Sequence, residues 1–276
     1  MVSCGHAFSQ VSRGQSALDF EASPGTAVFR PEPDFVVTLA AISDQSDQTS
    51  TQTSPPQHQG FLVRNLKRGL NDQKRLYLAP LKPKNLKWDA LFLITTGALL
   101  ATDRQASRQV PQDHVNLSHD IALLCIASTG ASAGLIWLHG IRADDSHAKE
   151  TGYLTLESLA NTFLIYTPMQ FLAGRERPDE GTGNGRFWRH GNFNTSFPAG
   201  HPMFTWSMAS VIAHEYPKTW VKFLAYGAAL TVSATRFTGR NHFPSDIFVG
   251  STLGYLIGTS IFHAHCNPDF SDACHR

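Results

Sequence analysis

From Trp88 onward the chain alternates long uncharged windows with short polar connections. The windows are Ala90 to Thr102, Ile121 to Ile141, Ser158 to Gly174, Ala199 to His214, Phe223 to Thr235 and Ile247 to Asn267. Their length and their Ala, Leu, Gly and Ile content exclude a strand array, and the connections lack hairpin dipeptides. The pattern predicts an all-α bundle of about six helices. A membrane span needs about 20 apolar residues, a length that only the second and sixth windows reach. The other four either extend past a lone flanking charge such as Lys222 or belong to a soluble bundle, and we read the bundle as membrane-embedded.

The flanks differ from this core. Residues 1–60 are rich in Gly, Pro, Ser, Thr and Gln, with only Phe35 to Ile42 apolar, and read as a disordered leader that cannot offset its chain entropy by burial. No basic segment precedes an apolar core near Met1, so this is not a secretory signal. In residues 61–87 the basic residues Arg64, Lys67, Arg68, Lys74, Arg75, Lys82, Lys84 and Lys87 face a single acid, Asp72. That segment reads as a juxtamembrane belt held at an anionic leaflet. The expected division is therefore leader 1–60, belt 61–87, helical domain 88–265 and a C-terminal tail 266–276.

With 276 residues, 42% of them apolar, wholesale disorder and small disulfide-stapled scaffolds are excluded. A net charge of +1 gives no global reason to expect nucleic acid as partner. Four scattered cysteines form neither a disulfide framework nor a paired zinc motif.

The chemistry is concentrated in three stretches. Gly174-Arg175-Glu176-Arg177-Pro178 closes the third window, Ser196-Phe197-Pro198-Ala199-Gly200-His201 opens the fourth, and residues 235–246 bridge the fifth and sixth. In an up-and-down bundle all three fall at one end. Arg177 and Arg236 offer permanently charged forks that match phosphate oxygens. Gly200 lets the backbone approach a ligand, and its amide with that of His201 opens a helix N-terminus, a ready anion site. Asp246, four residues after His242 and behind the helix-starting Pro244, is placed to orient the imidazole and leave one ring nitrogen unprotonated as a nucleophile. His201 remains free to protonate the leaving oxygen. The set reads as phosphoryl transfer through a phosphohistidine, with no metal and no cofactor.

These stretches resemble the three-part signature of the type 2 phosphatidic acid phosphatase and vanadium haloperoxidase superfamily, K-x6-R-P, P-S-G-H and S-R-x5-H-x3-D. Here they read Gln170 with Arg177-Pro178, Pro198-Ala199-Gly200-His201, and Thr235-Arg236 with His242 and Asp246. The resemblance implies catalytic His242, His201 and Asp246, and phosphate binding by Arg177, Arg236, Gly200 and the positions of Gln170 and Ala199. Thr235 keeps a hydroxyl, Ala199 loses one, and Gln170 removes a positive charge that Arg175 or Arg240 is placed to replace. The substrate implied is a phosphorylated lipid, or a small phosphate monoester or diphosphate. The alternatives are a weakened or inactive relative that binds an anionic headgroup, and a soluble non-specific acid phosphatase.

With the basic belt inside, an odd number of crossings puts the three stretches on the outer face of an inner or plasma membrane. Six crossings place Cys266 and Cys274 inside, where thiols stay reduced. His263, His265, Cys266, Cys274 and His275 match no usual zinc spacing. Trp137, Trp188, Trp206 and Trp220 read as interface anchors or core.

Overall fold

The computed structural model describes residues 61–111, 115–191 and 195–275; the expected leader lies outside them. Among the described residues there are seven α-helices and no strands: α1 (Phe61–Leu78), α2 (Leu86–Arg108), α3 (Val115–Ala143), α4 (Ser146–Ala173), α5 (Gly200–Glu215), α6 (Thr219–Thr238) and α7 (Pro244–His265). Helices α2 to α7 are the six anticipated from the windows. The seventh, α1, lies in the basic belt and is followed by a short 3₁₀ turn, Pro83–Asn85. Helix α1 turns a polar face inward. Gln73 bonds the Asn161 side chain at 2.6 Å, Asp72 meets His265 at 2.8 Å, and Arg68 forks onto Glu157.

Each helix boundary has a local cause. The Asp145 carboxylate accepts the amides of His147 and Ala148, capping α4 and reversing the chain out of α3. Gly174 ends α4 with φ +50°, a left-handed conformation suited to glycine, where a Cβ would stand 2.4 Å from the His190 carbonyl. Pro244 begins α7, and the Asp246 carboxylate reaches back to the Phe243 amide at 2.9 Å.

Antiparallel succession brings the C-termini of α2, α4 and α6 to the same end as the N-termini of α3, α5 and α7. Ser118 of α3 bonds Thr238 of α6 there at 2.8 Å, while at the far end His147 of α4 meets Glu215 of α5 at 3.0 Å. Helix α5 is the axis of the bundle, with most of its residues buried against α4, α6 and α7. Its contact with α7 is backbone to backbone. A Cβ on Gly250, Gly254 or Gly258 would lie 2.4, 2.1 or 2.4 Å from the carbonyl oxygens of Ala199, Met203 and Ser207. This is the close approach that small residues spaced four apart permit.

The interior is rich in hydroxyls. Ser158 and Thr162 meet Ser207, Ser210 meets Thr259, and Ser233 meets Ser251, all within 3.0 Å. The outer faces instead carry exposed Leu93, Leu124, Leu172, Phe223 and Leu256. Two helices of the described chain, α3 and α7, are long and apolar enough to cross a membrane, which agrees with the two long windows.

The tail departs from expectation. Cys266 and Cys274 are not free thiols but a disulfide, their Cα atoms 5.9 Å apart, within the range a bridge requires. Both pack against the core, and Ser271 bonds the His214 carbonyl, so the tail is seated on the bundle end where α5 and α7 finish. The bond also removes both cysteines from any zinc set. Trp188 and Trp220 are exposed, whereas Trp206 donates to Ser233 and stacks on Tyr226.

Candidate active site

The three stretches meet at one end of the bundle, as the crossings required. The turn after α6 folds back on Arg236, whose carbonyl accepts the amides of Asn241 and His242 at 3.1 and 3.3 Å. This fixes His242 beside Arg236. His242 is buried, and the charges of Arg177, His201 and Arg236 all act on it.

The Nδ1 atom of His242 lies 2.7 Å from the Ser196 carbonyl. A carbonyl only accepts, so Nδ1 carries the proton and Nε2 carries the lone pair. Burial first, then Arg177, pushes the imidazole down to about 3. The neutral, nucleophilic form therefore persists through the ordinary working range and is lost only as pH falls toward that value. The same shift bears on stability. The folded site holds His242 neutral, so its contribution is present above the ordinary histidine value near 6.5 and declines as pH drops below it.

Asp246 does not touch this ring, contrary to the role expected for it. Its carboxylate is fully buried and accepts the Ser196 hydroxyl at 2.5 Å, the Phe243 amide and the Arg175 guanidinium. Four residues along a chain that breaks into a helix at Pro244 do not bring the two side chains together. Asp246 instead reaches the imidazole indirectly, by holding the residue whose carbonyl orients it.

Arg175 also departs from expectation. It is 2% exposed, bonds Asp103 at 2.7 Å and Ser245 at 2.8 Å, and lies between the rings of Phe187 and Phe243. Two carboxylates and two rings consume it, so it does not replace the missing lysine.

Gln170 and Ala199 do not face a phosphate either. The Gln170 amide donates to the Pro198 carbonyl at 2.8 Å and accepts from the amide and hydroxyl of Thr195 at 2.8 and 2.9 Å. It clamps the loop that leads into α5, a loop that includes the cis Phe197–Pro198 peptide. The Ala199 amide is spent on the Asp246 carbonyl at 3.0 Å. Gly200 and His201 are the first two residues of α5, so their amides have no helical partner and open onto the site. The tight approach at Gly200 is to a side chain of the protein: a Cβ there would be 2.8 Å from the Tyr166 hydroxyl.

Arg236 is the clearest anion-binding group. It is 2% exposed, and its Nε and Nη2 have no hydrogen-bond partner among the described residues. Leaving such groups unpaired is costly unless a ligand supplies the acceptors. His201 is exposed at this end of the bundle.

Asp103, Ser196, Ser245 and Tyr166 were not singled out from the sequence. The Ser196 to Gly200 stretch was a visible signal for the first of the serines, whereas Asp103 sits in α2, far along the chain from every motif.

Residues 152–268 match the family model described as the PAP2 superfamily, a range that contains all three stretches and begins after α2 and α3. No curated protein and no solved structure matches the chain. Through this part of the helical domain, the chain is similar to the type 2 phosphatidic acid phosphatase superfamily.

Proposed function

We propose that the protein is a phosphatase of a phosphate ester, acting through a phosphohistidine on His242. The family match supports hydrolysis of phosphate esters in general. The observation that carries the finer reading is His242 itself, held by Nδ1 on the Ser196 carbonyl with its Nε2 lone pair free, beside a buried Arg236 that lacks acceptors. A phosphoryl group on Arg177, Arg236 and the amides of Gly200 and His201 supplies those acceptors. Nε2 attacks phosphorus, the ester P–O bond breaks, and His201 gives its proton to the departing oxygen. Water then attacks phosphorus, the P–N bond breaks and returns the lone pair to Nε2, His201 takes a proton from the water, and inorganic phosphate leaves.

The substrate is a phosphorylated lipid. Hydroxyls line the interior around the buried α5, and large apolar side chains face outward on α2, α3, α4, α6 and α7, the arrangement of a bundle solvated by lipid. Such a protein meets amphiphilic esters at the surface of its own bilayer.

The test is phosphate release from a generic monoester and from a phosphorylated lipid in detergent, with and without chelator, combined with rapid-quench trapping of the enzyme. The wild type forms an acid-labile, base-stable phosphoenzyme, and His242→Ala forms none and does not turn over. Unimpaired hydrolysis by His242→Ala overturns the assignment.

A further inference from the structure

Helix α1 joins the bundle at the end opposite His242, where α7 finishes at His265, and it has three faces. One is spent inside the protein: Asp72 on His265, Gln73 on Asn161 and Arg68 on Glu157 tie it to α7 and α4. A second is apolar and outward. Leu66, Leu70 and Tyr77, four and seven residues apart and so on one side of the helix, are 67, 62 and 57% exposed. The third carries Arg64, Lys67, Lys74 and Arg75, all exposed and none in an ion pair with a described residue.

Two hollows lie against this helix and meet at Arg68 and His265. One, of about 550 Å³, is lined by the four free cations with Asn71 and Asp72. Its one carboxylate, Asp72, is already taken by His265, so the hollow carries an uncompensated positive charge. The other, of about 770 Å³, runs along α4 beside Tyr153, Leu154, Leu156 and Leu164. The charged groups on its lining are spent within the protein. Glu150 accepts the Asn267 amide, Lys149 pairs with Asp144, and Glu157 holds Arg68.

A face turned to water accounts for the cations but not for the apolar stripe beside them. A helix lying in the headgroup layer accounts for both, since its apolar side chains reach the acyl boundary and its cations meet anionic headgroups. We propose that the paired hollows hold one anionic phospholipid, its headgroup in the basic hollow and one hydrocarbon chain in the groove along α4. This lipid is bound at the end away from His242 and is not the substrate. The inference rests on the membrane-embedded reading of the bundle and not on the phosphatase reading.

Native mass spectrometry of the full chain in detergent, titrated with phosphatidylglycerol or with phosphatidylcholine of the same chains, tests it. The wild type retains one phosphatidylglycerol at concentrations where it retains no phosphatidylcholine. The double variant Arg64→Gln, Arg75→Gln binds phosphatidylglycerol about thirtyfold more weakly, as about 1 kcal/mol per basic residue at an anionic surface implies. The control Lys82→Gln, Lys84→Gln takes the same charge from the exposed segment after α1, outside the hollow, and leaves binding unchanged. Equal retention of the two lipids by the wild type overturns the proposal. So does equal weakening in both double variants, which makes the attraction a diffuse field of the basic segment, or displacement of the lipid by glycerol phosphate at a matching concentration, which makes the occupant a soluble anion. A chain that hydrolyses no ester still gives the expected pattern, so the two readings fail separately.

Discussion

At the scale of single residues, the site is built from polar groups that hold one another rather than the substrate. Gln170 shows this most directly. Replacing it with lysine restores the charge of the family signature, and from sequence that change promises tighter phosphate binding. The structure reverses the expectation, because the amide oxygen accepts both Thr195 donors, and a lysine leaves the Thr195 amide buried without an acceptor while its hydroxyl keeps only the Gln170 and Phe197 backbone carbonyls. Each such loss costs about 1 to 3 kcal/mol. Gln170→Lys is therefore expected to lower the melting temperature on the order of 10 °C and to leave phosphate inhibition no tighter. Tighter inhibition with an unchanged melt would return Gln170 to the phosphate. The identities of His242, His201, Arg177 and Arg236 were legible because their chemistry is distinctive and their spacing fixed. Which partner each side chain takes was not. Asp246 orients Ser196 rather than His242, and Arg175 is consumed by Asp103, a residue that only the packing of α2 brings near.

At the scale of elements, the windows of uncharged residues located the six core helices, and the parity of crossings placed the three stretches at one end. The register between helices was less accessible, although one signal stood in the sequence: Gly250, Gly254 and Gly258 recur every fourth residue on α7. Their meaning is packing. They let the α7 backbone rest on α5, the helix whose first turn carries His201, while the residues just before α7 carry His242. The spacing of the two histidines is thus set by an interface at which the two backbones meet directly at three glycines. Gly254→Val forces a Cβ to within 2.1 Å of the Met203 carbonyl unless the helices part. The expected result is a fall in kcat of about a hundredfold, as misplacement of reacting groups by about 1 Å produces, with a lowered melting temperature. Fold and activity measured on the same preparation test it. Retained activity would show that the bundle absorbs the valine without moving α5.

At the scale of the whole molecule, hydroxyls inside and apolar side chains outside make lipid the natural solvent, and the remaining question is which end faces which compartment. Two features of the same end point in opposite directions. Helix α1 and the turn after it concentrate seven basic residues against one acid before the first core helix, and such an excess is retained on the cytoplasmic side. The Cys266–Cys274 bond, seated where α7 ends, belongs in an oxidising compartment. We take the charge, which acts during insertion, as the guide to orientation; the tail is held by its bond together with Ser271 on the His214 carbonyl and the Asn267 amide on Glu150. A reporter placed after Tyr216 is therefore expected in the cytoplasm and one at Gly183 outside. The reverse pair of locations, with both cysteines protected, would put the active site on the cytoplasmic face and make the disulfide the better guide to topology. Recovery of the protein in the soluble fraction without detergent would remove the membrane reading altogether.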